Sequence, residues 1–154
     1  MFCKHLLCII GTFFVLKIAN AELLTDSNLS FGKIAVTSNA DVSTVQISRA
    51  GRAFATGNIY IIEIGQPGVY TFTELPPYAA VNLSVTLPIY STSPIPGNQQ
   101  FTISAIDMPS TLGVDASGTS EQFKIGGVLQ TSGLGGVYIG PSTFDFIIPI
   151  DISY

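Results

Sequence analysis

Carboxylates are the chain's most numerous ionisable side chains. The acids are Glu22, Asp26, Asp41, Glu63, Glu74, Asp107, Asp115, Glu121, Asp145 and Asp151. Glycoside hydrolysis needs two of them about 5 to 10 Å apart across a sugar. Asp145 and Asp151 share the polar side of one extended run, but six residues of strand hold them roughly 20 Å apart. Asp107 and Asp115 flank the loop 108–114, with Ser110 and Thr111 beside them. Hard oxygens suit calcium, yet an organised calcium loop carries more acids at closer spacing. These two therefore read as solvated loop carboxylates, and no metal or cofactor site is expected.

Four other side chains are candidates for partner binding. Arg49 and Arg52 flank Gly51 at an expected hairpin tip, where they would meet an acidic partner or a surface glycan. Tyr78 follows Pro76-Pro77, and Tyr90 precedes the polar stretch 91–100. An exposed tyrosine there would stack on a sugar or on another protein. No G-x-S-x-G, P-loop or dinucleotide fingerprint occurs. The glycines at 133, 135 and 136 precede no helix that would cradle phosphate and read as a turn.

What is missing depends on the first residues. Lys4 and His5 precede an uncharged run over 6–16, and Ala19-Asn20-Ala21 forms an A-x-A cleavage site. Eleven uncharged residues fall short of the roughly 20 needed to span a bilayer. Residues 1–21 are therefore expected to be a signal peptide removed on export to the periplasm, the outer surface or the medium. The expected mature chain, 22–154, keeps four basic residues (Lys33, Arg49, Arg52 and Lys124) against all ten acids, a formal net charge of −6. Cys3, Cys8 and His5 leave with the leader, and Trp is absent throughout. A thiolate nucleophile, a Ser-His-Asp triad, a Cys/His zinc site and a disulfide are all excluded from such a chain. The acidic balance also argues against nucleic acid, which calls for a basic face. No transmembrane segment is expected after cleavage.

These side chains must be carried by strands. Of 154 residues, 47% are hydrophobic and 10% charged, enough apolar chain for one domain with its own core. Val81, Leu83, Val85 and Leu87 alternate with polar residues, as do Phe101, Ile103 and Ala105, and Tyr70 with Phe72. The last run is the longest. Phe144, Phe146, Ile148, Ile150, Ile152 and Tyr154 face one way, and Asp145, Ile147, Pro149, Asp151 and Ser153 the other. Further strands are predicted over Ser30–Val36, 42–48, 58–64 and 122–129, with 58–64, apolar on both faces, placed centrally. Turn residues separate them at 38–41, 50–52, 66–68, 94–98 and 116–118. Leu23, Leu24 and Leu29 make a poor alternating register for a strand donated to a neighbouring subunit, so a self-complete domain is expected. About eight short strands without a helical stripe predict an all-β sandwich forming a single domain, 22–154.

Pro149 cannot donate to a ladder, so an edge or bulge is expected there. Asp145, Pro149 and Asp151 read first as devices that blunt an exposed edge, and second as the frame of a site where another chain adds a strand. The residues of that assembly edge would be Phe146, Ile148, Ile150, Ile152 and Tyr154.

A series of short elements runs in order along residues 29–154. They are Leu29-Ser30-Phe31-Gly32, Arg49-Ala50-Gly51-Arg52, Ala55-Thr56-Gly57 and Pro67-Gly68-Val69-Tyr70-Thr71-Phe72. Leu87-Pro88, Ile125-Gly126-Gly127-Val128-Leu129, Gly135-Gly136-Val137-Tyr138 and the terminal alternating run follow. The pattern resembles the small exported bacterial proteins of domain of unknown function 4402. It is distantly similar to the pilin-like spore coat U proteins of archaic chaperone–usher systems. That resemblance implies an immunoglobulin-like, pilin-like sandwich exported by a Gram-negative bacterium, and no catalytic residues. Gly32, Gly51, Gly57, Gly126 and Gly127 match family positions. The chain departs from the spore coat U pattern in lacking a mature disulfide. The function expected is that of a non-enzymatic structural or surface-assembly protein associating with itself or other surface proteins. The alternative is an adhesin-like module that recognises a glycan or a protein through its loops.

Overall fold

The computed structural model describes residues 21–154, so the expected leader, apart from Ala21, lies outside the described residues. Those residues form twelve strands and no helix. In chain order they are β1 (Glu22–Ser27), β2 (Ser30–Val36), β3 (Thr44–Ile47), β4 (Ala53–Thr56), β5 (Ile59–Gln66), β6 (Gly68–Thr73), β7 (Ala80–Val85), β8 (Ile89–Tyr90), β9 (Thr102–Asp107), β10 (Thr111–Gly113), β11 (Phe123–Gln130) and β12 (Ile150–Ser153). All pairings are antiparallel. One sheet runs β1-β6-β11-β3-β4, with β9 also on β11 and β8 on β9. A second runs β10-β7-β12, and β2 pairs with β5 in a separate ribbon. The result is the expected all-β sandwich, curled toward a half-barrel.

The alternating residues explain the layers. Tyr70 and Phe72 of β6, and Val81 and Leu83 of β7, point inward, while their neighbours face outward. They meet Leu112, Phe123 and Ile125 in one core cluster. Val45, Ile47, Ile103 and Leu129 meet Phe31, Ile59, Ile89 and Phe101 in the other. Ile47, Ile103 and Ile125 are fully buried, and each contributes about 1.5 to 3 kcal/mol through the apolar surface it removes from water. Phe123 stacks on Phe72 at 5.5 Å. Where two backbones cross closely only glycine fits: a Cβ on Gly126 would strike the backbone of Ile47, Ser48 and Arg49.

Three sequence expectations about the strands are corrected. The strand over 58–64 is not central. It becomes β5, which pairs with β2 alone and leaves Tyr60, Ile62 and Ile64 between 59% and 73% exposed. Apolar residues on both faces reflect one core face (Ile59, Ile61) and one bare face. One strand is not named from the sequence: β1 in segment 22–29, set in register by Leu23 opposite Phe72 and Leu24 opposite Thr71. Its side chains are mostly exposed, so it is held by its backbone ladder rather than by burial, and no period-two signal arises. Ala105 does not share the inward face of Phe101 and Ile103. A register shift puts Ile103 opposite Leu129 but Ala105 opposite Val128, and an inserted residue reverses the facing. The count is twelve rather than eight because β4, β8 and β10 have only two to four residues each.

The terminal run is half ladder. Inward alternation holds from Phe144 to Ile152, yet only β12 pairs in a sheet, beginning directly after Pro149. Tyr154, expected inward, is exposed. In keeping with the edge expected at Pro149, the strand that follows it, β12, is a sheet's end strand.

Candidate functional site

The C-terminal segment crosses between the two core clusters. Phe144 meets the edge of Phe101, with centroids 4.8 Å apart, and Phe146 meets Phe31 at 6.2 Å. Ile148 packs on the same cluster, and Ile150 and Ile152 on the other. Asp145 is tied by its backbone to Thr92, donating to it at 3.1 Å and accepting at 2.9 Å. Beyond that bridge the backbone of Phe146, Ile147 and Ile148 makes no hydrogen bond among the described residues. Ile147, between two inward side chains, is 86% exposed.

A groove of about 330 Å³ runs beside this segment. Leu23, Leu29, Phe31, Phe144, Phe146 and Ile148 line it, with Asn28 and Asp145 as polar members. Three of the five residues expected at an assembly edge, Phe146, Ile148 and Ile150, border it. Ile152 and Tyr154 lie further along, in and after β12. The groove carries one carboxylate and no cation, so it suits an apolar segment with backbone polarity rather than acid–base chemistry.

The expected partner-binding residues are not gathered. Arg49 and Arg52 sit on the β3–β4 hairpin, whose turn is closed by Gly51 N–H donating to Ser48 at 2.9 Å, with Gly51 at φ +77°. Arg49 is engaged: its Nε lies 2.7 Å from Asp107, whose carboxylate also accepts the Arg49 backbone N–H at 3.2 Å. Tyr78, 80% exposed, lies on the β6–β7 connection, and Tyr90, 63% exposed, in β8. The two acids weighed as calcium ligands are also engaged. Asp115 accepts from the Ser117 hydroxyl at 2.7 Å and from the Ser117 and Thr119 N–H groups. The Ser117 hydroxyl and then the Thr119 N–H hold its carboxyl below the usual range. Among the described residues no three acidic, histidine or cysteine side chains converge on a metal-sized point.

Sequence reasoning missed how firmly the irregular stretch 131–142 is pinned. The Asn39 amide donates to Ser132 Oγ at 2.8 Å and to the Gly136 carbonyl at 2.9 Å, and accepts from Gly133 N–H at 2.8 Å. Asn98 accepts from Ile139 N–H at 2.8 Å and donates to Ser142. Both asparagines stand in stretches read only as turns. Their long-range partners leave no local signal.

Residues 22–145 match the family model of the domain of unknown function DUF4402, and the chain belongs to that family. No curated protein and no solved structure matches it. Among the described residues no helix is long and apolar enough to cross a membrane.

Proposed function

We propose that this family member is an exported, non-enzymatic structural protein, pilin-like in form, that assembles at a cell surface by adding strands to its own sheet edges. The leader pattern of residues 1–21 supports export. The lack of histidine and cysteine beyond residue 8 supports a role without nucleophilic or metal chemistry. One observation carries the assembly reading: Phe146 and Ile148 turn their side chains inward and border an apolar groove, while the backbone from Phe146 to Ile148 is unpaired among the described residues. An extended segment entering that groove gains ladder hydrogen bonds and apolar contacts together, which is the physics of strand addition. Pro149 and Asp151 guard the neighbouring β12, so the open stretch is short and defined.

The test uses protein recovered from cells expressing the full chain. Sedimentation velocity across a concentration series, with electron microscopy, should show association. Ile147→Lys places a charge on the outward side of the unpaired stretch, and should weaken association by about tenfold or more with little change in melting temperature. Wild-type protein that stays monomeric without fibres, or a variant that associates like wild type, would overturn the proposal.

A further inference from the structure

The outer face of the large sheet carries two rows of side chains that the assembly reading does not use. In the first, Thr56 stands opposite Thr44, Thr44 opposite Gln130, Gln130 opposite Thr102, and Thr102 opposite Tyr90. Directly paired residues put their side chains on the same face, so these five form one line across β4, β3, β11, β9 and β8. At about 4.8 Å per strand the line is roughly 19 Å long. The second row runs Phe54, Gln46 and Val128, then Ala105, turned outward by the β9 register shift.

Neither row contains a charge. The nearest ion pair, Arg49 with Asp107, lies two residues further along β11, opposite Gly126, and neutralises itself. Thr44 and Thr56 share a 2.7 Å hydrogen bond, while the side chains of Gln46, Gln130 and Thr102 make none among the described residues. Gln46 is exposed and Gln130 and Thr102 are half-buried, so their unpaired donors and acceptors reach solvent at strand spacing. Phe54 and Tyr90 stand more than half exposed at opposite ends.

We propose that this face binds an extended, neutral polysaccharide. Glutamine amides both donate and accept, which fits sugar hydroxyls presented as donor–acceptor pairs. Exposed aromatic rings give apolar faces for the C–H side of a pyranose. An anionic polymer finds no cation in either row and meets an exported chain (22–154) of formal net charge −6. A tightly bound protein would need a large apolar or aromatic centre, whereas here the centre mixes the amides and hydroxyls of Gln46, Gln130, Thr44 and Thr102 with only the small apolar side chains of Val128 and Ala105, and the aromatics are peripheral. The site is distinct from the C-terminal groove and does not depend on assembly there.

Affinity electrophoresis of the exported protein tests this, in gels cast with hydroxyethyl cellulose, galactomannan or dextran, and with polygalacturonate as the anionic control. At least one neutral polymer should retard the protein and polygalacturonate should not. Gln130→Glu and Tyr90→Ala should each weaken retardation by about tenfold. Gln46→Glu, at a more exposed position, repeats the test if Gln130→Glu lowers the melting temperature. Retardation by no neutral polymer, by polygalacturonate alone, or equally in the variants would overturn the proposal. So would a wild-type dimer that Gln130→Glu dissociates without any polysaccharide binding, which would assign the face to a second copy of the chain.

Discussion

Tyr138 lies on Phe101 with ring centroids 4.3 Å apart, and its hydroxyl donates to the Gln100 carbonyl at 3.1 Å while accepting from Ser132 N–H at 3.0 Å. One side chain thus joins the irregular stretch 131–142 to the core. Tyr138→Phe keeps the stack and loses both hydrogen bonds, and should cost about 1 to 3 kcal/mol in urea unfolding. Tyr138→Ala removes the ring as well and should cost more.

Burial raises the Tyr138 phenol above its ordinary value, outweighing the Ser132 hydrogen bonds that lower it. The folded state therefore holds this proton longer than the unfolded chain does. The resulting stability is fully present below about pH 10 and is lost as pH rises past it. Wild-type melting temperature should fall more steeply than that of Tyr138→Phe above that pH. Parallel curves would contradict the assignment.

Ile150 faces the core opposite Val85, and Ser153 faces solvent opposite Asn82. Ile150→Asp should destabilise by about 2 to 5 kcal/mol, and Ser153→Asp by no more than about 0.5 kcal/mol. Equal effects in thermal unfolding would place β12 in the wrong register.

Gly126 and Gly113 differ in what surrounds them. A Cβ at Gly126 meets only backbone, which cannot swing aside, whereas at Gly113 there is open space. Gly126→Ala should cost about 1 to 3 kcal/mol, and Gly113→Ala should be neutral or slightly stabilising. Denaturant midpoints of the two variants decide this.

The Arg49–Asp107 pair is close to half exposed on both sides, so Arg49→Ala should cost less than about 1 kcal/mol. Asp107→Ala should cost slightly more, because the Arg49 backbone N–H also loses its acceptor. A thermal melt at low and high salt should show the Arg49→Ala effect shrinking as salt rises.

The all-β class, and the inward faces of β6 and β7, were legible in the sequence because period-two alternation is a local consequence of the pleat. The same holds for Phe144 to Ile152. The missing histidine and cysteine beyond residue 8 are likewise a matter of composition alone. Pairing decided the rest. Ile59 to Ile64 reads as a buried strand until the fold leaves one of its faces with no layer packed over it, and Glu22–Ser27 shows no period-two signal because β6 holds it by its backbone ladder. The groove beside Phe146 and Ile148, and the row from Thr56 to Tyr90, bring together residues up to about a hundred positions apart or more. Alternation shows which side of its own strand a residue occupies. Which residue of a distant strand lies opposite it is settled only when whole sheets close over a shared core, because that register depends on packing summed across many strands.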